Sequence, residues 1–227
     1  MLGRNHGMLG IAGFGASVWY GEHSLHLHAL PLSDLAMGMA VAAGAALAPD
    51  LDDHQSLGGR ANPTSDLPIF GGHRTRTHTL SAAAVVLGLA LPCQRDRAAM
   101  AVFVGFTACR GSSVLLATVR RAGCFLSVPL GALAGCLSYR YVSAGWWLTA
   151  AAALPYLSHL VADAITVGGV PLLVPFSKHR FSLGLMKTGH AMERLVFTPL
   201  IVVMAGVTTW GALVPSIEGL HVPGLVG

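Results

Sequence analysis

The stretch LSHLVADAIT, residues 157–166, places a histidine and an aspartate inside an otherwise apolar run. That run extends over about 144–166, and a second long one covers about 195–214. Both are comfortably long enough for a ~30 Å hydrocarbon core, which takes ~20 helical residues. His159 and Asp163 are four apart, so on a helix they share one face with Cβ atoms ~5–6 Å apart. An imidazole and a carboxylate so placed can reach one divalent ion. Taken alone, the plainer reading of the pair is an internal hydrogen bond between packed helices.

The rest of the chain agrees with a bilayer setting. Among 227 residues, 53% are hydrophobic, 11% are charged and the mean hydropathy is +0.62. A soluble domain carries about 25% charged residues, so this chain lacks the polar surface to face water all round. Shorter apolar segments lie at about 8–20, 33–48, 79–92, 98–109 and 123–138, rich in the Gly and Ala that close helix contact in lipid requires. The expected fold is all-α, a polytopic helical membrane bundle in a single domain, 1–227, with a polar metal site at one membrane face. The N-terminal segment reads as an uncleaved first helix, because no small-x-small cleavage site follows it.

If all seven segments cross, the loops alternate sides. Arg4, Arg74, Arg76, Lys178, Arg180, Arg194 and five further Lys or Arg then share one side, and only Arg95, Arg97 and Arg140 the other. That bias assigns the first side to the cytoplasm. The net charge of +4 is spread over loops, so no nucleic-acid-binding surface is expected; anionic lipid headgroups and phosphate-bearing substrates fit better. Cys93, Cys109, Cys124 and Cys136 form no CxxC pair and read as buried free thiols.

The metal-competent side chains gather on the arginine-rich side. His6 precedes the first apolar segment. APDLDDH (48–54) supplies Asp50, Asp52, Asp53 and His54, and FGGHRTRTHTLS (70–81) supplies His73 and His78. His159 and Asp163 follow, and GHAMER (189–194) adds His190 and Glu193. His73 and His78 cannot share a helix face, since five residues is about 500° at 3.6 per turn. His78 is expected in a first helical turn, with Thr77 near the cap. His23, His26 and His28 fall on the opposite side with few carboxylates and read as ordinary surface histidines.

Each cluster alone has a bland reading: a solvated turn at Asp50–Asp53, headgroup contacts at His73–Arg76, a helix start at Glu193. Together they ask for compensation, because a charge at membrane depth costs ~2.5–3.5 kcal/mol on insertion scales. A divalent cation supplies it. Histidine and carboxylate without thiolate suit Zn first, with Mn or Fe as alternatives.

His6, LAPDLDDHQSLGGR (47–60), FGGHRTRTHTLS (70–81), YLSHLVADAITVGGVPLLVPFSKHRFSLG (156–184) and GHAMER (189–194) occur in an order that resembles the YdjM-type family of membrane-bound metal-dependent hydrolases. The resemblance spans residues 6–194. It implies a helical inner-membrane protein with a divalent-metal centre and hydrolase activity. The family is distantly similar to helical zinc-dependent phospholipase C and phosphodiesterase-type nucleases. By that likeness His6, Asp50 or Asp52, His73 or His78, His159 and Asp163 are candidate ligands, and Glu193 a further ligand or base. Two departures stand out: Asp52-Asp53-His54 replaces the family's more usual Asp-His, and the segment between His78 and His159 is longer.

The expected chemistry is metal-assisted hydrolysis of a phosphoester or lipid-like substrate at the cytoplasmic face. Asp52 or Glu193 would be the general base, and Arg74, Lys178 and Arg180 would hold the phosphoryl group. The rival readings are a metal-ion or proton transporter and a non-catalytic membrane protein with a structural metal.

Overall fold

The computed structural model describes residues 1–52, 74–116 and 122–218. Among them the chain is helical: α1 Gly3–Ser24, α2 Leu32–Ala46, α3 Leu80–Cys93, α4 Arg97–Leu116, α5 Ala122–Tyr141, α6 Trp146–Ile165 and α7 Thr198–Glu218. A 3₁₀ turn, Pro49–Asp52, follows α2, and a π-helical turn, Glu193–Phe197, leads into α7. No strand occurs among the described residues; two isolated bridges, Thr166 with Met186 and Val170 with Phe181, tie the connection before α7 to itself and to the end of α6.

Among the described residues two helical stretches, Trp146–Ile165 and Glu193–Glu218, are long and apolar enough to cross a membrane. The second leaves Val203 61% and Trp210 66% exposed, an apolar face that would be costly in water. The apolar windows understate α4, which begins at Arg97 and runs through Arg110 to Leu116. Basic side chains near helix ends can snorkel toward the interface, so they need not end a helix.

Helix α2 is central, packed against α1, α4 and α6, while α5 packs chiefly on α4. Phe14, Val18, Val41, Val104, Trp147 and Leu148 form the main core. Small residues bring backbones together: a Cβ at Gly44 would lie 2.1 Å from the Thr107 carbonyl oxygen, and one at Gly38 2.3 Å from the Phe14 ring. Cys93, Cys109 and Cys136 are free thiols; Cys93 is buried as expected, whereas Cys136 lies exposed on α5.

The helix ends that matter meet at one pole. The start of α1, the end of α2, the start of α3 and the end of α6 converge there, because successive helices run antiparallel. The terminal carbonyls of α6 would otherwise be orphans. The connection after α6 folds back on them: Leu183 donates to Ala164 and Leu185 to Ile165, at 2.8 and 3.0 Å. The same connection holds α3, with Leu80 donating to the Leu172 carbonyl at 2.9 Å and Ser81 Oγ to Val174 at 2.9 Å.

Candidate metal centre

His159 and Asp163 do share one face of α6, and both are fully buried. His159 Nδ1 lies 2.7 Å from the carbonyl oxygen of Ala46, the last residue of α2. A carbonyl can only accept, so Nδ1 carries the proton and Nε2 presents its lone pair inward. That lone pair faces His78 Nε2 at 3.2 Å, Asp50 Oδ1 at 3.6 Å and Asp163 Oδ2 at 3.7 Å.

His78 reaches this point from just outside α3. The helix is capped by Thr79, whose hydroxyl oxygen accepts the Ala82 N–H at 3.0 Å. The cap thus falls two residues later than Thr77, and His78 stands before the helix rather than in its first turn. Thr79 has the extended backbone of a cap, and its hydroxyl, which donates to the Arg76 carbonyl at 2.9 Å, stands one turn before Ala82; Thr77 is held elsewhere by Tyr156 and His78. Thr77 Oγ1 instead contacts His78 Nδ1 at 3.0 Å, and the Tyr156 hydroxyl donates to the Thr77 carbonyl. His78 Nε2 is left pointing at Asp50 Oδ1 and Asp163 Oδ2, each at 3.6 Å.

His6, one turn into α1, completes the cluster. Its ring stacks on that of His159 with centroids 3.7 Å apart, and its Nε2 lies 3.4 Å from Asp163 Oδ1. The same oxygen accepts from the Met1 amino group at 2.8 Å. Among the described residues, two groups of three therefore offer ligand atoms within 4.8 Å of one another: His6, His159 and Asp163, and Asp50, His78 and His159.

The donor set fits a divalent cation. Bonds of ~2.0–2.1 Å in a tetrahedral zinc site put ligand atoms ~3.3–3.4 Å apart, close to the 3.2–3.7 Å spacings among these nitrogens and oxygens. Asp163 Oδ2 is buried, with the Arg74 guanidinium on one side and the Nε2 atoms of His78 and His159 at 3.6 and 3.7 Å on the other. Burial would push the Asp50 carboxyl up; the imidazoles of His159, His78 and His6, when protonated, outweigh this and hold it well below the usual carboxylate range. An anionic pocket floor with inward lone pairs is what a cation requires.

Arg74 stands at the rim. Its Nη2 lies 2.7 Å from Asp163 Oδ2 and its Nη1 donates to Thr166 Oγ1 at 3.4 Å. Its backbone is left-handed, φ 54°, and the guanidinium lies against Gly168, where a Cβ would come within 2.3 Å of Nη1. Lys178 and Arg180 are exposed on the connection after α6; Arg180 donates to the carbonyls of Gly168 and Gly169 at 3.3 and 3.4 Å.

Glu193 stands apart from both groups. Its Oε1 accepts from the Leu2 N–H at 2.6 Å and Asn5 Nδ2 at 2.9 Å, and its Oε2 from the Gly189 N–H at 2.6 Å. Through these three bonds it ties the start of α1 to the turn before α7. Sequence reasoning missed Asn5, fully buried beside it; a polar residue next to His6 at the head of an apolar helix was the available signal. His190 is exposed. His73, Asp53 and His54 lie outside the described residues, as does the side chain of Asp52.

The fold and this pole define a helical protein suited to a membrane, with buried His and Asp groups that could hold a metal ion. The chain matches the family described as YdjM inner membrane protein over residues 1–217, and it belongs to that family. No curated protein and no solved structure matches it.

Proposed function

We propose that this chain is a single-domain, polytopic protein of the inner membrane that hydrolyses a phosphoester, lipid-like in character, with a divalent metal at the cytoplasmic face. The observation that supports it is the convergence of His6, Asp50, His78 and the α6 pair His159 and Asp163, from four parts of the chain, into two adjoining groups that share His159, with Arg74 at the rim. Zinc suits the donors best, and Mn or Fe would also be accommodated. A cation bound there supplies Lewis acidity and brings the pKa of a water from 15.7 to ~7.

The chain's own residues do the rest. His159 and His78 present fixed Nε2 atoms because their Nδ1 atoms are engaged by Ala46 and Thr77. Asp50 and Asp163 hold the cation and neutralise its charge. Arg74, already over Asp163, offers a planar fork to the phosphoryl oxygens. Lys178 and Arg180, on the exposed connection, draw an anionic head toward the pole. Asp52 would serve as proton acceptor, while Glu193, which accepts three N–H bonds, keeps α1 in place. The excess of basic residues in the loops at this pole supports a cytoplasmic orientation.

The test is elemental analysis of detergent-purified protein together with a panel of phosphomonoesters, phosphodiesters and phospholipids. The wild type should retain metal and cleave one class; His159→Ala with Asp163→Ala should abolish both. Unchanged metal content in that variant would remove the basis of the proposal.

A further inference from the structure

An apolar groove of about 480 Å³ lies between α2, α3 and α4, within the ~300–1,000 Å³ typical of small-molecule pockets. Ala45 and Ala48 form a shallow floor, and Val86, Leu89, Val102 and Phe106 the walls. Its one polar lining residue is Thr107, whose hydroxyl is turned back onto the Phe103 carbonyl at 2.9 Å. Nothing along the groove offers a hydrogen bond to a headgroup, so its chemistry is that of hydrocarbon. Its lips are open sideways, with Leu89 58%, Val102 74% and Phe106 61% exposed.

One end of the groove adjoins the metal cluster. Ala48 is two residues before Asp50, and Ala45 is next to Ala46, whose carbonyl orients His159. Val86 and Ala48 pack with Tyr156 and Leu160, residues that bracket His159 on α6. The other end reaches Cys93; along α3 the rise from Val86 to Cys93 is ~10 Å. A larger apolar groove, about 870 Å³, runs between α4 and α5, but only those two helices line it and it meets no element of the cluster.

We infer that the α2–α3–α4 groove seats the hydrocarbon tail of the substrate, so that the substrate is a phosphorylated lipid entering sideways from the bilayer with its anionic head at Asp50 and Arg74. This rests on the hydrolase reading above. An anionic head suits a pole bearing Arg74 and a divalent cation, and the tail continues from it along a wall with no competing polar partner.

The experiment uses the full chain reconstituted in phosphatidylethanolamine–phosphatidylglycerol vesicles doped with phosphatidic acid that bears a diazirine near the end of one acyl chain. After photolysis, peptide mapping should place the label on α3 and α4 residues of the groove. Filling it by Ala99→Phe, or from the lip by Leu89→Trp, should lower that labelling about tenfold; two variants guard against one that misfolds, and helical content by circular dichroism checks both. Label spread evenly over outward residues of α5 and α7, or unchanged in both folded variants, would overturn the inference. Groove labelling in a wild-type protein that retains no metal would support the groove as a lipid site and count against the hydrolase reading instead.

Discussion

The Nε2 atoms of His78 and His159 lie 3.2 Å apart although 81 positions separate them in the chain. With Nδ1 of His159 committed as a donor, its Nε2 faces another imidazole and two carboxylates, an arrangement that suits a cation between its members. His78→Ala should weaken metal affinity by more than the 10–100-fold typical of losing an outer-shell partner. Competition against a chromogenic chelator measures it; unchanged affinity would exclude His78 as a ligand.

Tyr156 acts on the same histidine at one remove. Its hydroxyl holds the Thr77 carbonyl, and Thr77 holds His78 Nδ1. Tyr156→Phe should therefore reduce metal affinity by about tenfold while helical content by circular dichroism stays the same.

Glu193→Ala should separate architecture from chemistry. Three N–H donors lose their acceptor, a loss on the order of 3 kcal/mol, seen as a lower melting temperature in detergent. Metal bound per folded molecule should be unaltered. Loss of metal without loss of stability would instead make Glu193 a ligand.

Arg74→Ala should leave metal content intact and raise KM for a phosphoester about tenfold or more, and Arg74→Lys should restore little of it, since an ammonium cannot supply the bidentate fork. A variant that loses its metal would show that the guanidinium orders Asp163 rather than meeting substrate.

Gly44→Ala forces a Cβ to within 2.1 Å of the Thr107 carbonyl oxygen, where only backbone can give way. Overpacking of this kind costs about 1–3 kcal/mol. Gly13→Ala, with nothing within 4 Å of the added carbon, should be neutral or slightly stabilising. Thermal unfolding of the pair in one detergent distinguishes helix contact from mere helix propensity.

Spacing made part of this site readable in advance. His159 and Asp163, four apart in an apolar run, could only fall on one face of a helix, and the antiparallel alternation of the segments brings His6, Asp50 and His78 to the same pole. What could not be read depended on tertiary contacts. Thr77 and Thr79 are equally good cap residues by type, and the choice between them turns on the Leu80 N–H meeting Leu172 and the Tyr156 hydroxyl meeting Thr77. Glu193 looked like a ligand because its composition matches one; that its oxygens are taken by Leu2, Asn5 and Gly189 follows from residues nearly the whole chain away. The groove left no trace in hydropathy, since lipid-facing and tail-facing alanines, leucines and valines are chemically alike.

His159 belongs to both groups of three, yet its Nδ1 is already spoken for by Ala46. A single remaining nitrogen serves a single ion. Among the described residues the expected stoichiometry is therefore one tightly held cation; a second would have to rely on His6 and Asp163 Oδ1 without that histidine, and should leave first when a chelator is titrated in.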